Sequence, residues 1–189
     1  MSKNRLEAFS DGVLAIIITI MVLELKVPEG DTLTVLKPMM PLVLSYIVSF
    51  IYIGIYWNNH HHMLHTVHHV NGGVLWANLH LMFWLSLVPI TTAWIGENHM
   101  DPTPVAMYGI VLLMAAIAYF ILQQVIIRSQ GADSVLKKAI GTDLKGKASP
   151  ILYAAAIVAV YFSVWIAIAL YVVVALMWLI PDRRIERNL

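Results

Sequence analysis

The chain contains no cysteine. That removes disulfides, thiolate nucleophiles, iron–sulfur clusters and cysteine-based zinc sites from consideration. Charge is scarce as well. Asp, Glu, Lys and Arg make up 12% of the residues, about half the ~25% typical of soluble domains. So few charges cannot cover a water-exposed surface, and an ordinary soluble globule is excluded. The formal net charge is only +1, which argues against nucleic acid as a partner, since that would call for a basic patch. What the chain has in quantity is apolar material, 60% of its 189 residues. Disorder is therefore excluded too. The composition reads as one polytopic, all-α integral membrane domain over residues 1–189.

The map of formal charges lays out the spans. From Pro38 to Ile127 they are Glu97 and Asp101, and Ile151–Ile180 has none. A spanning helix needs roughly 20 mainly apolar residues. The first is expected over about 5–26, interrupted by Glu7, Asp11 and Glu24. A polar loop, 26–37, follows. The second span is expected over 41–63, ended by the His-rich Asn-Gly-Gly stretch Thr66–Gly73. The third runs over 74–95, closed by Gly96-Glu97-Asn98, with Asp101, Pro102 and Pro104 in a short turn. The fourth covers 105–127, and a polar linker, 128–149, carries Lys137, Lys138, Lys145 and Lys147. The acidic residues inside the first apolar stretch speak against a secretory signal.

The last apolar run, Pro150–Ile180, is too long for one span. As a single helix it would reach roughly 46 Å, against a hydrocarbon core of about 30 Å. Orientation decides how to divide it. Lys3 and Arg5 are near the N-terminus, five basic residues lie in 128–149, and Arg183, Arg184 and Arg187 lie in the tail. With all three segments cytoplasmic, ten positive residues lie inside and two, Lys26 and Lys37, outside. An even number of spans satisfies this, so the sequence predicts six helices, a tight turn near Tyr161–Ala167, and both termini in the cytoplasm. Trp76, Trp94 and Trp178 fall near span ends as interfacial anchors. The methionines read as packing or lipid-facing residues.

Ionisable groups inside a membrane are functional candidates. At about 100° per residue, Ile16, Ile20 and Leu23 share a stripe roughly 60° wide, extended by Phe9 and Val27. Ser10 and Asp11 lie roughly 120–140° away. The first helix therefore has a bulky aliphatic stripe and a separate polar face. Two readings stay open: a lipid-facing helix capped by Ser10 and Asp11, or a helix whose two faces serve different partners.

The second helix carries Trp57-Asn-Asn-His60-His61-His62, then His65, His68 and His69. His61 and His65 are spaced i, i+4, which suits a shared metal. There is no His-Glu-x-x-His, however, and no Asp or Glu between Pro38 and His80, so one cluster offers too few ligands and no metal site is expected. His60 and His61 read better as hydrogen-bonding partners of other helices. His65, His68 and His69 read as solvated ends.

At these residues the sequence resembles the transmembrane protein 175 potassium-channel family, in its single-repeat prokaryotic form. The likeness rests on Arg5 followed by Phe9-Ser10-Asp11, on Trp57-x-x-His60-His61, and on Asn78 with Pro89. The resemblance implies a homotetramer whose first helices line a central pore. It implies no Thr-Val-Gly-Tyr-Gly filter, and none is present. It places the constriction on Ile16, followed by Ile20 and Leu23, with Thr19 in a polar layer implicated in selectivity. It also implies that Arg5, Phe9, Ser10 and Asp11 join Trp57, His60, His61 and Asn78 in a network holding the pore helix. His62 and the later histidines are outside that motif.

A narrow hydrophobic ring can gate a pore by dewetting, and a buried Asp11 would need a partner, Arg5 or a histidine, to offset its cost. The function expected is a potassium-permeable cation channel of the cell membrane, without cofactor or covalent chemistry. The alternatives are a proton-coupled transporter using Asp11 and the histidines as a relay, or a membrane metalloenzyme built on the His cluster.

Overall fold

The computed structural model describes residues 2–179 apart from positions 29, 31, 132, 133 and 142. The tail arginines Arg183, Arg184 and Arg187 lie outside the described residues. Among those described the chain is all helix and turn, with no strand. Helix α1 covers Lys3–Leu23. A 3-10 turn over Leu33–Met39 leads into α2, Met40–His65. Then come α3 (Gly72–Ser86), α4 (Val88–Glu97), α5 (Pro102–Gln130), α6 (Val135–Ile140), α7 (Leu144–Ala159) and α8 (Val164–Leu179).

Among the described residues, four stretches are long and apolar enough to cross a membrane: Lys3–Leu23, Leu36–His65, Gly72–Glu97 and Pro102–Gln130. The third is two helices in line. Pro89 lacks the N–H that would continue the backbone ladder, so α3 stops at Ser86 and α4 restarts at Val88. That break was not expected. The connection after α5 is also shorter than the polar linker suggested, because α7 starts at Leu144, where Asp143 Oδ1 accepts from Gly146 N at 3.0 Å. The run Pro150–Ile180 does divide, at Val160–Ser163, without Gly or Pro. Each half-helix has 16 residues, about 24 Å at 1.5 Å per residue.

Helix α5 is the centre of the bundle, packed against α3, α4, α7 and α8. Leu112, Ala115, Ala118, Leu122 and Ile126 along it are fully buried. Beside it, the rings of Tyr52, Tyr108, Tyr153 and Tyr171 meet at centroid distances of 5.8–6.4 Å. Tyr52 donates to the Tyr171 carbonyl, and Tyr171 donates to the Val105 carbonyl at 3.1 Å. The last bond needs Gly109, where any Cβ would collide with the Tyr171 hydroxyl.

Helix α1 sits at the edge, against α2, α3 and α4. Its N-terminal end is tied to the end of α2 by Lys3 Nζ donating to the His65 carbonyl at 2.8 Å. Gln130, at the end of α5, donates to the neighbouring Thr66 carbonyl. The far end of α8 returns to the start of α7, with Trp178 Nε1 donating to Ser149 Oγ at 2.8 Å. Lys3, the end of α5 and the last described turn of α8 beside the start of α7 therefore lie at one end of the bundle. The opposite end holds the Lys26–Glu97 ion pair, 3.4 Å, both side chains exposed.

Candidate functional site

Helix α1 divides lengthwise. Leu6, Ser10, Leu14, Ile17 and Met21 recur at helical spacing and are buried against the bundle. Phe9, Ile16, Ile20 and Leu23 are 47%, 59%, 42% and 79% exposed. The aliphatic stripe picked from the sequence is thus the face of α1 that its own chain leaves uncovered. Thr19 lies on the same uncovered side. Its hydroxyl donates to the Ile16 carbonyl at 2.8 Å, which leaves the oxygen lone pairs pointing away from the helix as acceptors. Beside the stripe, Val13, Ile16 and Ile20 of α1 and Pro89, Ile90, Ala93 and Trp94 of α4 line an open groove, with Glu24 and Glu97 at its far end.

The polar face is a buried chain. Ser10 Oγ donates to the Leu6 carbonyl at 2.9 Å and accepts from Asn78 Nδ2 at 3.0 Å. Asn78 Oδ1 lies 2.7 Å from His60 Nε2. Ser10, Asn78 and His60 are 0%, 0% and 2% exposed. With the amide oxygen as acceptor, His60 carries its proton on Nε2 in this contact. One residue from each of α1, α3 and α2 meets here, so the chain fixes the rotation of α1 against both neighbours.

Asp11 does not join it. It is exposed, and its partner is Trp57, whose Nε1 donates to Asp11 Oδ1 at 3.0 Å. Among the described residues, no hydrogen bond or ion pair joins Asp11 to Arg5 or to a histidine. Six residues along a helix put Arg5 on a different side, and Arg5 is itself exposed. His61 is also outside the buried chain. It is exposed, stacks on Trp57 at 6.5 Å and 27°, and meets the His65 ring edge-on at 5.0 Å. The eight candidates for the network thus fall into two groups: Ser10, Asn78 and His60 inside, and Arg5, Phe9, Asp11, Trp57 and His61 on the exposed side. No group of three metal-ligating side chains occurs among the described residues.

Three features were not picked out from the sequence. Ser49 lies 2.7 Å from Thr92 Oγ1 and 3.0 Å from Tyr108 Oη, a second buried polar chain joining α2, α4 and α5. Glu7 Oε1 is buried with no hydrogen-bond partner among the described residues. Gly96 packs so closely on Leu42 that a Cβ there would lie 2.7 Å from the Leu42 backbone. Small hydroxyl residues in apolar helices were the available signal for the first. The like-charged i, i+4 pair Glu7 and Asp11 was the signal for the second.

Comparison with known proteins bears directly on this arrangement. A family model described as the endosomal/lysosomal potassium channel TMEM175 matches residues 5–89, a stretch holding the whole uncovered stripe and every residue of both polar groups. A potassium channel of Chryseobacterium sp. (strain P1-3) is 62% identical over 189 residues, covering 100% of this chain and 98% of that protein. A potassium channel of Streptomyces collinus is 36% identical over 125 residues, 62% of this chain and 61% of that one. Among solved structures, the crystal structure of a lysosomal potassium-selective channel TMEM175 homolog from Chamaesiphon minutus matches with a TM-score of 0.81 at 29% identity. It covers 93% of this chain and 95% of that chain.

Proposed function

Since this chain belongs to the TMEM175 family and is a potassium channel rather than an enzyme, we propose that four copies assemble around a central pore lined by α1 and that Ile16 forms its narrowest ring. The observation that carries this reading is the split of α1. A helix with Ile16 and Leu23 more than half exposed at the edge of its own bundle needs either lipid or other copies of itself to cover that face. A strand of acceptors and aliphatic rings, not a ladder of carbonyls, then meets the ion. Four Ile16 side chains make a ring that sheds water and blocks ions when narrow. A ring of Thr19 oxygens one turn on offers partial rehydration to an ion that has passed it.

The buried chain Ser10–Asn78–His60 holds α1 at the rotation that presents this stripe. Tilting or turning α1 would widen the Ile16 ring, and the exposed Asp11–Trp57 bond is placed to move with it. The site needs no cofactor, and potassium is the permeant ion. Six membrane-crossing segments per subunit, with α7 and α8 as a short hairpin pair, put both termini on the cytoplasmic side of the cell membrane. The return of α8 to the basic end of the bundle supports this.

The chain has no cysteine, so single cysteines are unambiguous probes. Cysteine at Ile16, Ile20 or Leu23 is expected to react with a small aqueous thiol reagent in the open channel and block current. Cysteine at Ile17 or Met21, buried in the subunit, is expected to stay silent. The opposite pattern would place the pore on another face and refute the assignment.

A further inference from the structure

A second site lies away from α1, in a cavity of 40 Å³ enclosed by α2, α5, α7 and the end of α8. That is room for about three waters at the ~10–15 Å³ each requires. Its walls are mainly aromatic: Tyr56, Tyr119, Phe120, Tyr153 and Trp178 line it. Its polar lining includes Gln123, Asn59 and Asp143. Gln123 is 5% exposed, lines the cavity, and makes no hydrogen bond among the described residues. A buried amide without a partner costs free energy unless water or a ligand satisfies it. Asn59 is equally buried. Its Nδ2 is used on the Ile55 carbonyl at 2.8 Å, so its side-chain oxygen is the group it can offer. Asp143, in the left-handed region at φ 45°, adds a carboxylate at the linker end.

Among the described lining residues the one formal charge is the Asp143 carboxylate, Asn59 and Gln123 add amide oxygens beside the tyrosine hydroxyls, and the walls are π faces. One of those faces already holds a cation: Lys145 Nζ lies 5.9 Å from the centre of the Trp178 ring. We infer that this cavity is a binding site for a small primary ammonium group, its N–H donors taken by Gln123, Asn59 and Asp143 and its charge set against the tyrosine faces. Asp143 and Gly146, at the polar start of α7, are part of the lining, so the ammonium could belong to a soluble amine or to the headgroup of an ethanolamine phospholipid. Both present the same chemistry.

Propylammonium chloride titrated into the detergent-purified full chain tests this, read as a shift in melting temperature against equal sodium chloride and equal 1-propanol. A saturable upward shift with propylammonium alone is expected. Asp143→Asn keeps the helix cap, because asparagine still accepts from Gly146 N, and removes the charge. It should weaken binding roughly ten- to a hundredfold, the effect of losing one charge-assisted hydrogen bond. Gln123→Leu, similar in volume, should weaken it roughly three- to tenfold while leaving the chain folded. Repeating the titration in nanodiscs separates the sources. If ethanolamine lipid suppresses the shift that choline lipid allows, the resident group is the lipid headgroup; equal shifts in both identify a soluble amine. No saturable shift, an equal shift with propanol, or unchanged affinity in both variants would overturn the assignment.

Discussion

Replacing Asn78 by leucine isolates the energy that holds α1 in place against α2 and α3. Asn78 is 0% exposed and bridges Ser10 at 3.0 Å and His60 at 2.7 Å. Leucine has nearly the same volume, so packing changes little and the polar loss dominates. The Asn78–Ser10 bond is worth about 0.6 kcal/mol by the average for side-chain bonds between membrane helices. Ser10 keeps its bond to the Leu6 carbonyl and is not orphaned. His60 is orphaned, because it is 2% exposed and its ring N–H then faces leucine. That adds about 1–3 kcal/mol. The single variant should therefore cost about 2–3 kcal/mol. His60→Leu should cost a similar amount, by leaving the Asn78 side-chain oxygen unpaired. The double variant removes both partners and leaves only apolar contact, so its cost should fall to about 1 kcal/mol or less, since replacing both members of a buried pair is close to neutral. The two singles thus sum to several kcal/mol more than the double. Reversible unfolding of detergent-purified protein with increasing sodium dodecyl sulfate, followed by tryptophan fluorescence, measures all four corners of the cycle. Additive costs would show that the two side chains do not share a bond, and would remove the buried chain as the device that sets the rotation of α1.

Two further expectations follow from packing and topology. Gly109→Ala drives a methyl into the Tyr171 hydroxyl and to within 2.9 Å of Ile157 Cγ1; it should destabilise by about 1–3 kcal/mol and lower the melting temperature, whereas Gly54→Ala, with nothing within 4 Å, should be neutral or slightly stabilising, and equal effects would refute the contact. A reporter fused after Leu189 should behave as cytoplasmic; periplasmic activity there would mean an odd number of crossings and undo the division of Pro150–Ile180 into two spans.

The sequence carried the class of protein by scarcity of charge alone, because a chain this poor in Asp, Glu, Lys and Arg has nothing with which to face water. It also carried the stripe Ile16, Ile20 and Leu23, because the 3.6-residue helical period is a local property that puts those three on one side whatever else surrounds them. The same period separated Ser10 from the stripe. What the period could not supply was the partner of each polar group. Ser10 and Asp11 are adjacent in sequence and look alike as polar candidates. Yet one is fully buried under Asn78 and the other is exposed on Trp57, since a step of 100° carries one side chain into the bundle and the next out of it. His60 and His61 part in the same way. Pro89 carried the signal for a break that was nonetheless not expected, and the turn at Val160–Ser163 was only half legible. Its existence followed from the length of the apolar run, while its position depended on Tyr171 and Trp178 reaching back to α5 and α7. The cavity between α2, α5 and α7 was not legible at all. Gln123, Asn59 and Asp143 come from three separate segments, and only the packing of α2, α5 and α7 brings them to one space. Periodicity determines which way a side chain points from its own helix, but which groups it meets there depends on how the helices are packed, and no single helix encodes that.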